Sequence, residues 1–367
     1  MRHPRPAVTV AILAAIVALV AWRPLASGLG QSAPQNVIII TIDGLRWQEF
    51  FGGAQRDYFK RDKNGSGGEL ETRFWRDSVD ARRQALMPFM WSTIATKGQV
   101  FGDPDSNSLA HVTNGLWFSY PGYSEMFAGV ADPRIDSNDK KPNPNVTVLE
   151  WLNQRPGFEQ RVAAFGSWDV LPFILNQQRS RLPIGSGWSP VPPGPGPGDP
   201  SAISQLAADL PRYWDYGPFD VPMVYSALNS VQTLRPRVLY LMLGEGDEWA
   251  HEGRYDLYLD ATRRADNFIQ RIWDAARLAN GGTSNTTLIV TTDHGRGATT
   301  KDWTDHGKNV PAAERTWIAV LGPGVPALGV RRGITVTTSQ IAATIAAVVG
   351  EDFRSAVPAA AVALPLK

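Results

Sequence analysis

Asp43, Asp247, His251, Asp293, His294 and His306, together with Ser119, are the residues of this 367-residue chain whose types and order point to chemistry. Three of the five histidines fall in the set. Hard carboxylate oxygens with neutral imidazoles suit a divalent transition metal such as zinc. Six such ligands are too many for one ion and suit two. A hydroxyl held between two close ions loses its proton and becomes a nucleophile, which is two-metal phosphoryl-transfer chemistry.

The pieces differ in weight. Asp247-Glu248-Trp249-Ala250-His251 sets a carboxylate and an imidazole four apart, on one side of a helical turn, where they can share an ion. Alone, that spacing is a weak signal. Asp293-His294-Gly295 behind an apolar run is more specific, because an unpaired carboxylate at the end of a dry strand is unfavourable. A plain salt bridge would need Arg296, the only basic residue close by in sequence.

These residues need a frame. Residues 36–42 (NVIIITI) form a β-branched run of the kind buried on both faces of a parallel sheet. Similar runs at 161–165, 237–243, 287–292 and 317–321 predict further strands. Apolar residues at three- and four-residue spacing predict a helix over 255–278, with Arg263, Arg264, Asp266 and Arg271 turned elsewhere. A second helix is expected from the caps Thr338-Ser339 to Gly350. Alternating strands and helices imply an α/β three-layer sandwich with a mostly parallel central sheet. Ligands gather at the carboxyl ends of such strands, and Asp43, Asp247 and Asp293-His294 all follow strand ends.

Composition bounds the rest. With 36 basic against 35 acidic residues, net charge is +1, so electrostatics does not suggest nucleic acid as a partner. The absence of cysteine removes disulfides, thiolate metal sites and thiol nucleophiles. Arg2, His3 and Arg5 precede an uncharged run from Pro6 to Trp22, and a small-residue stretch follows Arg23. This predicts that 1–34 is a cleaved signal peptide or an uncleaved membrane anchor. Either puts the remainder, expected as a single catalytic domain over 35–367, in the periplasm or outside the cell. The Pro/Gly-rich segment 185–200 is expected to be an exposed excursion between two sheet elements, and 56–68 a polar loop.

The four ligand segments, in this order, resemble the alkaline phosphatase superfamily, particularly its nucleotide pyrophosphatase/phosphodiesterase-like branch. The resemblance runs from Asn36 to about Phe353: the opening strand with Asp43-Gly44, the Thr292-Asp293-His294-Gly295 pair, and the closing helix around Gln340–Ile345 with Gly350. It implies that Asp43, Asp293 and His294 hold one divalent ion and that Asp247, His251 and His306 hold the other, zinc or manganese. It also implies a Ser or Thr nucleophile opening a helix, with Gly ten residues on. Ser119 with Pro121 and Gly129 fits, and Ser119 would also be a metal ligand.

Ser124 is the rival, because Ser124-Glu125 resembles the nucleophile motif of cofactor-independent phosphoglycerate mutases. Asn138 is the expected phosphoryl-oxygen donor, ahead of Asn114. Tyr123 stands where formylglycine sulfatases carry Arg, which disfavours a sulfatase. Trp117, Phe118, Tyr120, Trp168, Trp188, Trp249 and Trp303 are candidates for an aromatic-lined mouth. The expectation is an exported phosphohydrolase acting on small phosphate diesters or monoesters. A phosphoryl mutase or transferase, or an inactive metal-stabilised binding protein, are the alternatives.

Overall fold

In the computed structural model, residues Asn36–Ile42 form strand β1 at the middle of the sheet, with Val37 to Ile42 all buried. The structure describes residues 35–59, 67–192, 200–279, 281–282 and 285–367. The other strands are β2 (Gln99–Phe101), β3 (Leu109–His111), β4 (Val162–Gly166), β5 (Ile184–Ser186) and β6 (Val238–Leu243). They continue with β7 (Thr286–Thr291), β8 (Arg315–Thr316), β9 (Ile318–Leu321), β10 (Gly329–Val330) and β11 (Thr335–Thr337). The main sheet runs β10-β2-β9-β7-β1-β6-β4-β5, and only β9 is antiparallel to its neighbours. β11, β3 and β8 form a separate three-stranded sheet.

Period-two alternation divides β1 between two cores. Ile38, Ile40 and Ile42 pack with the helix Tyr255–Ala279, while Val37 and Ile39 pack with the helices Ser119–Ala128 and Gln340–Val348. Helices therefore cover both faces, the expected three-layer arrangement. Each large apolar side chain so buried stabilises the fold by about 1.5–3 kcal/mol. The five expected strands and the long helix form within a residue or two of their predicted ends.

Other details differ. Asp266, expected on the polar face of the long helix, is buried, and its carboxylate accepts the amides of Phe89 and Met90 at 2.8 Å each. It caps the turn beginning at Met90, a long-range role that helical periodicity does not reveal. The residues 56–68 are not simply loop: Arg56–Phe59 is a helical turn, and a helix begins at Gly67. In the expected 185–200 excursion, Gly185 and Ser186 belong to edge strand β5, and Pro200 opens a helix reaching Asp209. Proline suits that first position because no N–H is needed there. The excursion thus joins a strand to a helix, and 193–199 lie outside the described residues. So does the whole expected leader, 1–34. Among the described residues, no helix is long and apolar enough to cross a membrane.

Candidate metal centre

The carboxyl ends of β1 and β7 bring the first ligand group together. Asp43 follows β1, and the Tyr123 hydroxyl donates to its Oδ2 at 2.9 Å. Asp293 follows β7, and its Oδ1 accepts the Gly44 amide at 3.2 Å. The other oxygens, Asp43 Oδ1 and Asp293 Oδ2, are buried with no hydrogen-bond partner. They lie 3.3 Å and 3.4 Å from His294 Nε2.

His294 Nδ1 lies 2.8 Å from the Gly295 carbonyl, which can only accept, so Nδ1 carries a proton. In the neutral ring, Nε2 then presents a lone pair to two carboxylate oxygens and to Ser119 Oγ at 3.2 Å. Donors around a tetrahedral zinc with bonds of about 2.0–2.1 Å stand about 3.3–3.4 Å apart. This donor set fits such an ion. Burial opposes charge on His294, yet Asp293 and Asp43 outweigh it and raise the imidazole to about 9. Burial, with Asp43 beside it, pushes Asp293 well above the usual carboxylate range. Both shifts express a need for positive charge between these groups.

The helix Glu245–His251 supplies the second group. One helical turn sets Asp247 Oδ2 3.1 Å from His251 Nε2, and His306 Nε2 lies 3.0 Å from His251 Nε2 and 3.9 Å from Asp247 Oδ2. These spacings also suit one ion. Burial and neighbouring His294 push His306 down to about 2, so its ring stays in the neutral, ligating form. Donor atoms of Asp247, His294 and His306 also lie within 4.8 Å of one another, so the two groups adjoin.

Arg296 does form the salt bridge considered from sequence, but with Asp247 and not Asp293. It is buried, bonds Asp247 Oδ1, and donates to the carbonyls of Trp303 at 3.0 Å and Thr304. Burial alone would raise the Asp247 carboxyl, but Arg296 and the histidines hold it well below its usual range. Arg296 thereby ties the segment bearing His306 to the helix bearing Asp247. A second buried guanidinium, Arg46, paired with Glu49, donates to Gly297 O at 2.9 Å and anchors the same segment.

Ser119 is the first residue of its helix, and Gly129, at φ 75°, ends it. Two glycines permit the close approaches. A Cβ on Gly122 would meet Asp293 O at 2.5 Å, so this helix rests on the backbone of the Asp-His pair. A Cβ on Gly44 would meet Asp247 Oδ1 at 2.3 Å. Asn138 Oδ1 accepts the Tyr120 amide at 3.0 Å, fixing the helix start and leaving Nδ2 without a partner among the described residues. Asn114 is otherwise engaged: its Nδ2 donates to Glu125 at 3.1 Å and its Oδ1 accepts from Leu116 and Trp117. Ser124 Oγ accepts from Asn143 Nδ2 at 3.1 Å and is buried.

Every expected metal-type ligand thus lies in one of two adjoining groups, with Ser119 on the first. Tyr123, Arg296, Gly122 and Gly44 are additions. Gly44, directly after a ligand aspartate, and Arg296, the basic residue close to the Asp-His pair, carried a local signal. The aromatic residues divide: Tyr120, Trp249 and Trp303 are buried in packing, while Trp117, Phe118, Trp168 and Trp188 are partly exposed. Trp168 lines a small, open cleft with Trp214, Tyr216 and Glu248.

Residues 222–351, which carry five of the six ligands, match the family model of the Metalloenzyme superfamily. No curated protein is significantly similar in sequence. Among solved structures, Ps i-CgsB in complex with k-i-k-neocarrahexaose aligns with a TM-score of 0.54 at 16% identity, over 90% of this chain and 75% of that one. The lipoteichoic acid synthase LtaP from Listeria monocytogenes aligns at 0.54 and 8% identity, over 87% and 72%. A Bacteroides thetaiotaomicron protein described as a sulfatase aligns at 0.53 and 14% identity, over 87% and 71%. At such identities the likeness shows the fold alone, an α/β fold with a large, mostly parallel central sheet.

Proposed function

We propose that this chain is an exported two-metal phosphohydrolase of the alkaline-phosphatase-like kind. It cleaves small phosphate esters, diester or monoester, through a phosphoseryl intermediate on Ser119. The observation that carries this reading is the donor set around His294 Nε2. Asp43 Oδ1, Asp293 Oδ2 and Ser119 Oγ stand 3.2–3.4 Å from it, beside the Asp247, His251 and His306 group. Motif order supports the nucleotide pyrophosphatase/phosphodiesterase-like branch, and the basic-then-apolar leader over 1–34 supports export.

Two bound divalent ions would supply Lewis-acid charge for the nucleophilic oxygen and for the departing one. Asp43, Asp293, His294 and Ser119 would hold the first, and Asp247, His251 and His306 the second. Ser119 Oγ would give up its proton to solvent and attack phosphorus. The new O–P bond forms as the bond to the leaving oxygen breaks in line with it. The positive end of the Ser119 helix favours both the alkoxide and the anionic phosphoryl group. Asn138 Nδ2 donates to a non-bridging oxygen as charge builds there. Tyr123 keeps Asp43 Oδ1 turned toward His294. Water then attacks phosphorus, cleaves the Ser119 ester and releases the second product.

The sulfatase alternative gains no support from the residues, because Tyr123, at the position of the sulfatase arginine, is bonded to Asp43. The mutase alternative asks for Ser124 as nucleophile, and that hydroxyl is buried against Asn143. The test is turnover of p-nitrophenyl phosphate and bis-p-nitrophenyl phosphate by zinc- and manganese-loaded protein. Ser119→Ala is expected to reduce the rate by several orders of magnitude, because covalent catalysis and activation of the hydroxyl vanish together. Ser124→Ala should keep most activity. Absence of turnover in all loaded forms of the unmodified chain, or phosphate trapped on Ser124, would sink the proposal.

A further inference from the structure

The two ligand groups differ in charge. In the first, two carboxylates, Asp43 and Asp293, face one imidazole, and no arginine or lysine bonds either among the described residues. One oxygen of each is buried with no hydrogen-bond partner. In the second, Asp247 is the only carboxylate, and its Oδ1 is already paired with the buried Arg296 guanidinium. Counting side chains, the first group offers an ion a formal charge of −2. With Arg296 included, the second offers none.

Proton placement differs too. The Gly295 carbonyl holds a proton on His294 Nδ1, so an ion that takes Nε2 leaves that hydrogen bond intact. At His251 the relation is reversed. Arg296 Nη2, from a group with donors only, lies 3.1 Å from His251 Nδ1. A hydrogen bond there needs the lone pair on Nδ1, which puts the proton of a neutral ring on Nε2. That is the atom facing Asp247 Oδ2 and His306. To ligate through Nε2 as a neutral ring, His251 must carry its proton on Nδ1 instead and give up the Arg296 bond. Surroundings of this kind commonly change metal affinity by about 10- to 100-fold.

Resting on the two-metal reading, we infer that the sites load unequally: the Asp43–Asp293–His294 site holds its ion tightly, and the Asp247–His251–His306 site holds an exchangeable one. Arg296 is a positioning residue. It orders the second ligand group at the expense of that group's attraction for a cation.

The test is titration of metal-stripped full-length protein with Zn²⁺, followed by calorimetry and by equilibrium dialysis with metal analysis. The expected result is one ion per chain in a tight class, and a second bound only at tenfold or higher free zinc. His251→Ala, at a partly exposed position, should remove the weak class and leave the tight one. Asp43→Asn should do the reverse. Arg296→Gln should bring the two classes closer together. If that variant does not fold, the ligand variants decide alone. Two ions of equal affinity, or loss of the tight class in His251→Ala, overturn the inference. Failure to bind any zinc overturns the two-metal reading itself.

Discussion

Tyr123 governs how Asp43 meets its surroundings. With Oδ2 engaged by the phenol at 2.9 Å, Oδ1 is the oxygen left facing His294 Nε2. Tyr123→Phe keeps the ring and deletes only this bond. Folding should weaken by about 1 kcal/mol, the usual contribution of one hydrogen bond. Zinc affinity at the tight site should fall about 10- to 100-fold, because a ligand's own partner fixes its orientation. Competition with a chromophoric chelator reads this directly, and unchanged affinity would show that packing alone orients Asp43. At this scale the ligands were legible in sequence because carboxylate, imidazole and hydroxyl are themselves the chemistry. Tyr123 and Arg296 were not. Their contacts span 80 and 49 positions, so a tyrosine gave no hint of Asp43, and Arg296, considered as a partner for the nearby Asp293, pairs instead with Asp247.

Among the elements, the helix Ser119–Ala128 is tightly constrained, buried along its whole length and resting on Asp293 through Gly122. Gly122→Ala would set a methyl 2.5 Å from the Asp293 carbonyl oxygen, so the helix or the Asp-His pair must shift. Overpacking of this kind destabilises by about 1–3 kcal/mol. A displacement near 1 Å at a reacting group can reduce the rate about 100-fold. Gly68→Ala is the control: its added Cβ meets nothing within 4 Å in a helix, so it should stabilise slightly. Urea melts and turnover on the same two variants make the comparison, and a fully active Gly122→Ala would mean that the helix does not set the position of Ser119. The long strands were readable because continuous β-branched runs have few other uses. β2, β3, β8, β10 and β11, with two or three residues each, are too short to show a period, so the second sheet could not be foreseen.

Across the whole molecule, the two faces of the sheet depend on distant segments meeting, and Asp266 shows how one buried charge participates. It lies on the helix Tyr255–Ala279 and accepts the amides of Phe89 and Met90, joining segments 176 positions apart. Burial raises its carboxyl to about 6, and those amide bonds only partly oppose the shift. The unfolded chain titrates near 3.8. Between these values the native state holds the proton more tightly than the unfolded state, so stability falls as pH rises through that window. The shift of about two units corresponds to roughly 2 kcal/mol between pH 4 and pH 7. Asp266→Asn does not titrate, and its one carbonyl oxygen serves the two amides less well. Urea unfolding of both proteins at the two pH values isolates the effect, because every other titrating group is common to both. The stability of the unmodified protein relative to the variant should drop by roughly that amount from pH 4 to pH 7. A difference that stays flat would mean that Asp266 titrates like an exposed carboxylate, with the two amides compensating fully for its burial.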